Sequence, residues 1–174
     1  MARNFGALFS NGEIIIFIDD DGIPEEGLIQ AHLKIHKERA IHIARGVYRP
    51  KTKNGPKPWH YELGTEARPA VCLLEGNTSF RPEAFFKVGG WNDRLLVYHE
   101  GLELSYRYFR AGYEQEKLIY FPDAVLRHDY VKPPAGQNRK NRLLKTSHYL
   151  IHAIHDDIDA VLNSWPDRFS GKPA

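Results

Sequence analysis

From Glu13 to Ile18 the chain reads Glu-Ile-Ile-Ile-Phe-Ile, a run without polar alternation, and three carboxylates, Asp19, Asp20 and Asp21, end it. Such a run predicts a strand buried on both faces, of the kind found inside an α/β sheet. Ahead of it, Ala2 to Ser10 has apolar residues at helical spacing, with Gly12 where a helix would stop. Behind it, residues 24–37 predict a helix with Pro24-Glu25-Glu26 as its first turn and Leu28, Ile29, Leu33 and His36 on one side. Ala40 to Tyr48 predicts a strand. Pro50 to Pro69 carries four prolines and two glycines and predicts a long loop, either functional or simply tolerant of insertion. Within it, Trp59 and Tyr61 are suited to stacking on a ligand or to anchoring the loop.

The second half alternates in the same way. Val71 to Leu74 predicts a short strand, Pro82 to Val88 a helix ended by Gly89-Gly90, and Trp91 to Tyr98 a loop. Glu100 to Ala111 is amphipathic, with Leu104, Tyr108 and Ala111 inward and Gly112 closing the helix. Leu118 to Phe121 and Ala124 to Leu126 predict two strand segments around Pro122 that deliver Arg127-His128. After a basic, turn-rich stretch from Lys132 to Asn141, a stripe from Leu143 through Ile151 and Ile158 to Trp165 predicts one long helix. This order predicts a single α/β domain, with residues 1–130 as its main body and 131–174 as a basic linker and C-terminal helix of the same domain.

Composition narrows the picture. The chain has 174 residues with 24 Lys and Arg against 22 Asp and Glu, so no global field favours nucleic acid or a membrane surface. The single cysteine, Cys72, permits no internal disulfide and suits a buried strand thiol in a reducing compartment. No apolar run reaches the ~20 residues needed to cross a bilayer, and there is no signal-peptide pattern. The expectation is a soluble, cytoplasmic protein.

Three acids at a strand's carboxyl end repel one another unless a cation sits among them, and carboxylates suit magnesium, manganese or calcium. Open α/β sheets bind ligands at that end. The alternative is that the acids only start a turn and cap the next helix.

Three segments together resemble the family 2 glycosyltransferases of the GT-A fold. They are Ala2-Arg3-Asn4 with Gly6, Gly12-Glu13 and Phe17-Ile18-Asp19-Asp20-Asp21; Gly76-Asn77-Thr78-Ser79-Phe80-Arg81 through Val88-Gly89-Gly90-Trp91-Asn92-Asp93 to Glu100-Gly101-Leu102-Glu103-Leu104-Ser105-Tyr106-Arg107; and Ala124-Val125-Leu126-Arg127-His128. The resemblance spans residues 2 to about 128. It implies a partial GT-A fold, a mixed sheet flanked by helices, and transfer of a sugar from a nucleotide-diphospho-sugar donor to a carbohydrate or other hydroxyl acceptor. By the same resemblance, Asp19 and Asp21 form the DxD motif. Asp21 and His128 hold Mn2+ or Mg2+, and Arg3, Asp19 and Asp20 lie on the donor side. Gly76, Asn77 and Trp91 face the acceptor.

The sequence departs from the family in two places. Inverting members carry Glu-Asp at the start of the helix, the Asp acting as general base; here the pair is Glu100-Gly101, which leaves Glu100 as the candidate base, turned by ~100° on a helix. Retaining enzymes that modify polypeptides have Glu-Asn before a similar Leu-Glu-Leu-Ser run, so stereochemistry stays open. Glu103 is expected to pair with Arg107. The second departure is the missing strand-helix-strand-helix segment that forms the nucleoside pocket, which implies a fragment, a subunit completed by a partner, or a non-catalytic binding remnant. A sheet without those strands has an unpaired edge, so a homodimer or partner chain is expected. Two weaker patterns stand apart. His148, His152 and His155 beside Asp156 match either a zinc spacing or a solvated helix face, and Arg139-Lys140-Asn141-Arg142 suits phosphate, an anionic lipid surface or plain solvent.

Overall fold

The computed structural model describes residues 2–95, 98–130 and 138–163. Trp165, Leu96 and Val97, residues 132–137 and the side chains of Arg139, Lys140 and Asn141 lie outside them, so the expectations placed there are not taken further.

Helix α1 (Ala2–Leu8) leads into strand β1 (Ile15–Ile18), as the sequence predicts. The acidic turn is followed by a two-residue strand, β2 (Ile23–Pro24), and then helix α2 (Leu28–Arg39). Pro24 to Glu26 therefore do not open the helix. Gly27, at φ 84°, reverses the chain, while Ile23 and Pro24 pair with residues near His128. The helix is also rotated from the expected face: it buries Leu28, His32, Ile35 and His36 and leaves Ile29 and Leu33 at 43% and 48% exposure. His36 is buried as expected, and it is His32, which the sequence placed on no face, that turns the helix with it, both rings bonding Ser79 Oγ.

Strand β3 (Ile43–Arg49) follows. The long loop contains a single helical turn, Trp59–Tyr61, and returns to the sheet as β4 (Arg68–Pro69). Its path is fixed from below. Arg45, fully buried, donates to the His60 and Val71 carbonyls, and Tyr120 donates to Gly64 O.

Val71 to Leu74 is not a strand; the Cys72 amide donates instead to Ser105 Oγ on a helix. The strand is β5 (Asn77–Phe80), whose polar residues are fully buried because each finds an internal partner. Asn77 Nδ2 donates to the Val47 and Ala124 carbonyls, and Thr78 donates to Leu74 O.

Helices α3 (Pro82–Lys87) and α4 (Glu100–Arg110) stand where expected. The two predicted segments around Pro122 are one strand, β6 (Leu118–Arg127), which absorbs the proline where its parallel register with β3 slips. The predicted long terminal helix is two, α5 (Asn138–Ile154) and α6 (Ile158–Asn163). The break at 155–157 turns His155 onto Glu103 and Asp157 onto the Tyr106 hydroxyl.

The six strands form one mixed sheet in the order β1-β5-β3-β6-β2, with β4 on β6; the β3–β6 pair is parallel and the others antiparallel. Among the described residues, β1 is hydrogen-bonded on one side only. Phe17, Phe80, Phe85, Trp91, Leu104, Ile151 and Leu162 share the larger core. Cys72 lies within it, its thiol pushed up to about 12 by burial.

Candidate metal and donor site

The carboxyl end of β1 and the end of β6 converge because β2 pairs with β6 at Arg127 and Leu126. Asp19, Asp21 and His128 thereby each place one ligand atom within 4.8 Å of the others. Asp21 Oδ1 lies 3.1 Å from His128 Nε2, and the Asp21 side chain is 69% exposed. Asp20 is exposed and stands outside this group.

Asp19 is held from four directions. Its amide donates to Gly76 O and its carbonyl accepts from Gly22. Its carboxylate accepts a 2.5 Å bond from the Tyr48 hydroxyl and lies 4.0 Å from Arg3 Nη2. Burial, and then the Asp19 charge, raise the Tyr48 phenol far above its ordinary value, so it is a proton donor throughout. Tyr48 also stacks on His128 at 4.9 Å between centroids, and Tyr61 places its hydroxyl 3.1 Å from His128 Nδ1. Tyr48 carried no sequence signal beyond a strand end. Tyr61 was visible as a loop aromatic, but the sequence did not say what it would touch.

Arg3 bridges to a second acidic group. Its Nη1 lies 3.8 Å from Glu100 Oε1, and its guanidinium sits over the Trp91 ring. Burial, then the neighbouring charge of Glu75, raise the Glu100 pKa above its ordinary value. Glu75, which the sequence did not single out, accepts from the Gly101 amide at 2.7 Å and so caps α4. The two residues before Glu100, Tyr98 and His99, both have positive φ, 66° and 67°, a strained turn of the sort that persists where a side chain must be aimed. A cavity of about 240 Å³ opens here, lined by Arg3, Trp91, Asn92, Asp93, Leu95 and Glu100.

The three residues expected on the acceptor side are placed differently. Asn77 is fully buried with its amide spent on main-chain carbonyls, so it braces the sheet and does not reach a ligand. Gly76 is buried against Asp19. Trp91 is 4% exposed, edge-to-face with Phe17 and Phe80 and covered by Arg3, so it is a wall of the cavity and not an open stacking platform. The histidine row on α5 is likewise not a metal cluster among the described residues: His155 Nε2 bonds Glu103, and His148 packs near His99 and His152.

Glu103 pairs with Arg107 as the spacing predicts, through contacts of 2.7 and 2.9 Å, and Asn92 and His155 complete its shell. Burial alone would raise this carboxyl, but the bonds from Arg107, His155 and Asn92 hold it below the ordinary value. Arg107 also donates to the Val88 and Gly90 carbonyls, fixing the turn that carries Trp91.

The sequence profile described as Glycosyl transferase family 2 matches residues 1–93. A search of curated proteins finds no significant match. Among solved structures, the fold is similar to a mannosyltransferase, PcManGT from Pyrobaculum calidifontis, in complex with GDP-Man and Mn2+, at TM-score 0.60 and 18% identity over 88% of this chain and 42% of that one. GalNAc-T7 with UDP, GalNAc and Mn2+ gives 0.55 and 18% over 91% and 37%. TarS 1-349 of S. aureus with UDP-GlcNAc gives 0.54 and 10% over 98% and 60%. At these identities the likeness shows the GT-A fold alone, and the chain spans 37% to 60% of the length of these three relatives.

Proposed function

Because the chain belongs to glycosyl transferase family 2, we propose that it forms the metal and acceptor side of a site that moves a sugar from a nucleotide-diphospho-sugar donor to an acceptor hydroxyl. The observation that carries this reading is the convergence of Asp19, Asp21 and His128 at the carboxyl end of the sheet. Two carboxylates and an imidazole suit Mn2+, and Mg2+ accepts the carboxylates as well. Such an ion, when bound, supplies positive charge for the departing diphosphate. Arg3 adds a cation on the same side, near Asp19 and Glu100. Asp20, exposed beside them, faces the solvent from which a donor arrives. Glu100, whose proton affinity is raised, takes the proton of the acceptor hydroxyl in the adjoining cavity.

One observation favours a second reading, a non-catalytic carbohydrate- or partner-binding domain. A β-carbon at Gly101 would lie 2.3 Å from Cys72 O, so the position of the usual base has no room for a carboxylate side chain.

The open edge of β1, with Phe5, Leu8, Phe9 and Ile18 all more than 40% exposed near it in sequence, suits a second copy or a partner chain that continues the sheet. A monomer in sedimentation whose β1 amides exchange freely would rule that out. The lone buried thiol suits the reducing cytoplasm, and no helix among the described residues is long and apolar enough to cross a membrane.

Calorimetric titration with UDP and with GDP, with and without Mn2+, tests the main reading in the wild type and in Asp21→Asn. Metal-dependent binding lost in the variant supports it. Nucleotide binding that ignores both metal and Asp21 sinks it.

A further inference from the structure

Resting on the metal reading above, we propose that Tyr48 and Tyr61 are positioning residues that clamp His128 and Asp19 into ligand geometry, and that Tyr61 ties the site to the long loop between β3 and β4. Nothing in the DxD pattern points to either tyrosine. Their placement comes from β3 and from the helical turn at Trp59–Tyr61.

The imidazole of His128 is held between two tyrosines. Tyr48 stacks on its face at an interplanar angle of 20°, Tyr61 meets its edge at 72°, and the two tyrosines pack against each other at 90°. Tyr48 spends its hydroxyl on Asp19 Oδ2 at 2.5 Å, so a single side chain orients two of the three ligands. Both phenols are anchored in turn, at 4% exposure each.

Tyr61 also meets the imidazole through its hydroxyl, 3.1 Å from Nδ1, while Asp21 Oδ1 lies 3.1 Å from Nε2, so each ring nitrogen is matched to one neighbour. A hydroxyl both donates and accepts, so this contact holds whichever ring nitrogen carries a proton.

Tyr61 lies on the loop held by Arg45 at His60 O and by Tyr120 at Gly64 O, and Glu62 beside it pairs with Lys57 and Arg49. Tyr61 thereby ties the candidate metal site to this loop, so metal binding is expected to protect the loop as well.

The test reads side-chain 15N shifts of His128 in metal-free protein, together with calorimetric Mn2+ affinity and hydrogen exchange of residues 50–67, in wild type, Tyr61→Phe and Tyr48→Phe. The His128 ring shifts are expected to move in Tyr61→Phe, which loses the hydroxyl at Nδ1. Each variant is expected to bind Mn2+ about tenfold more weakly, as the loss of a ligand's supporting hydrogen bond does, and Mn2+ should slow exchange in the loop of the wild type but not of Tyr61→Phe. A Tyr61→Phe protein with wild-type ring shifts, wild-type affinity and wild-type loop protection overturns the proposal. A wild type that takes up no Mn2+ overturns the metal reading and the clamp's purpose with it, and the ring shifts identify that case, because the Tyr61 contact would still be seen.

Discussion

The carboxylate of Asp19 occupies the space that a side chain at Gly76 would take: a β-carbon at position 76 would lie 1.9 Å from Asp19 Cγ and 2.0 Å from its Oδ1. The glycine exists for the aspartate. Gly76→Ala is therefore expected to displace Asp19 from Tyr48 and to abolish Mn2+ binding in calorimetry, with a loss of about 1–3 kcal/mol of stability from overpacking. An alanine variant with wild-type Mn2+ affinity would contradict this placement.

Gly101 makes a similar argument on α4. With Cys72 O at 2.3 Å and Glu75 Oε1 at 2.8 Å from a β-carbon, Gly101→Asp cannot restore the usual catalytic pair. It is expected to lower stability by about 2–4 kcal/mol in denaturant titration, through a backbone clash and a displaced cap, and to bring no gain in transfer.

Glu100 is held above its ordinary pKa, burial and Glu75 being the leading causes. A raised carboxyl pKa means that the folded state binds more protons than the unfolded one, so this residue costs stability as pH rises through that range. Glu100→Gln is expected to raise the melting temperature at neutral pH while eliminating transfer. In the wild type, the acid limb of the pH–rate profile should lie above the ordinary carboxylate value. A destabilised, active Glu100→Gln would refute both parts.

His32 and His36 meet at one hydroxyl, Ser79 Oγ, each at 2.8 Å. The far ends of this chain are both acceptors, Asn77 Oδ1 and Ile41 O. Burial meanwhile pulls each histidine from 6.5 to about 4, and Arg81 opposes a charge on His36. The unfolded chain takes up protons at both residues below 6.5 and the folded chain resists, so stability is full above that pH and falls toward pH 4, by on the order of 3 kcal/mol for each histidine. Denaturant titration from pH 7.5 to 4.5 checks the slope. Ser79→Ala should cost about 1–3 kcal/mol at pH 7.5 by leaving ring nitrogens unpaired.

Glu103 is 1% exposed at the side chain and balances Arg107 and His155. Glu103→Gln strands a buried guanidinium and is expected to cost about 3–5 kcal/mol, with Trp91 fluorescence reporting the loosened turn. A variant as stable as wild type would show that the cluster is exposed in solution.

Much of this was legible in the chain. The unbroken Ile and Phe run marked β1, the acids at its end include two that meet His128, and Glu103 with Arg107 followed from helical spacing. What misled was polarity in the wrong place. Asn77, Thr78 and Ser79 read as connecting residues yet form a central strand, and His32, assigned to no face, is buried beside the expected His36 in place of Ile29 and Leu33. Period-based reading treats a polar residue as exposed, and it cannot see that a partner on another element will satisfy it.

The sequence by itself determined the local elements and the order of charged groups along them, because helix and strand periods and chain reversals act over a few residues. Only the tertiary structure decided which of those groups meet. Asp21 and His128 are 107 positions apart, and it is the pairing of Ile23 with Arg127 that brings them together. Tyr48 and Tyr61 become parts of the site, and Asn77 and Trp91 become parts of the core, for the same reason: burial and hydrogen-bond partnership are properties of the packed sheet, not of any stretch of chain.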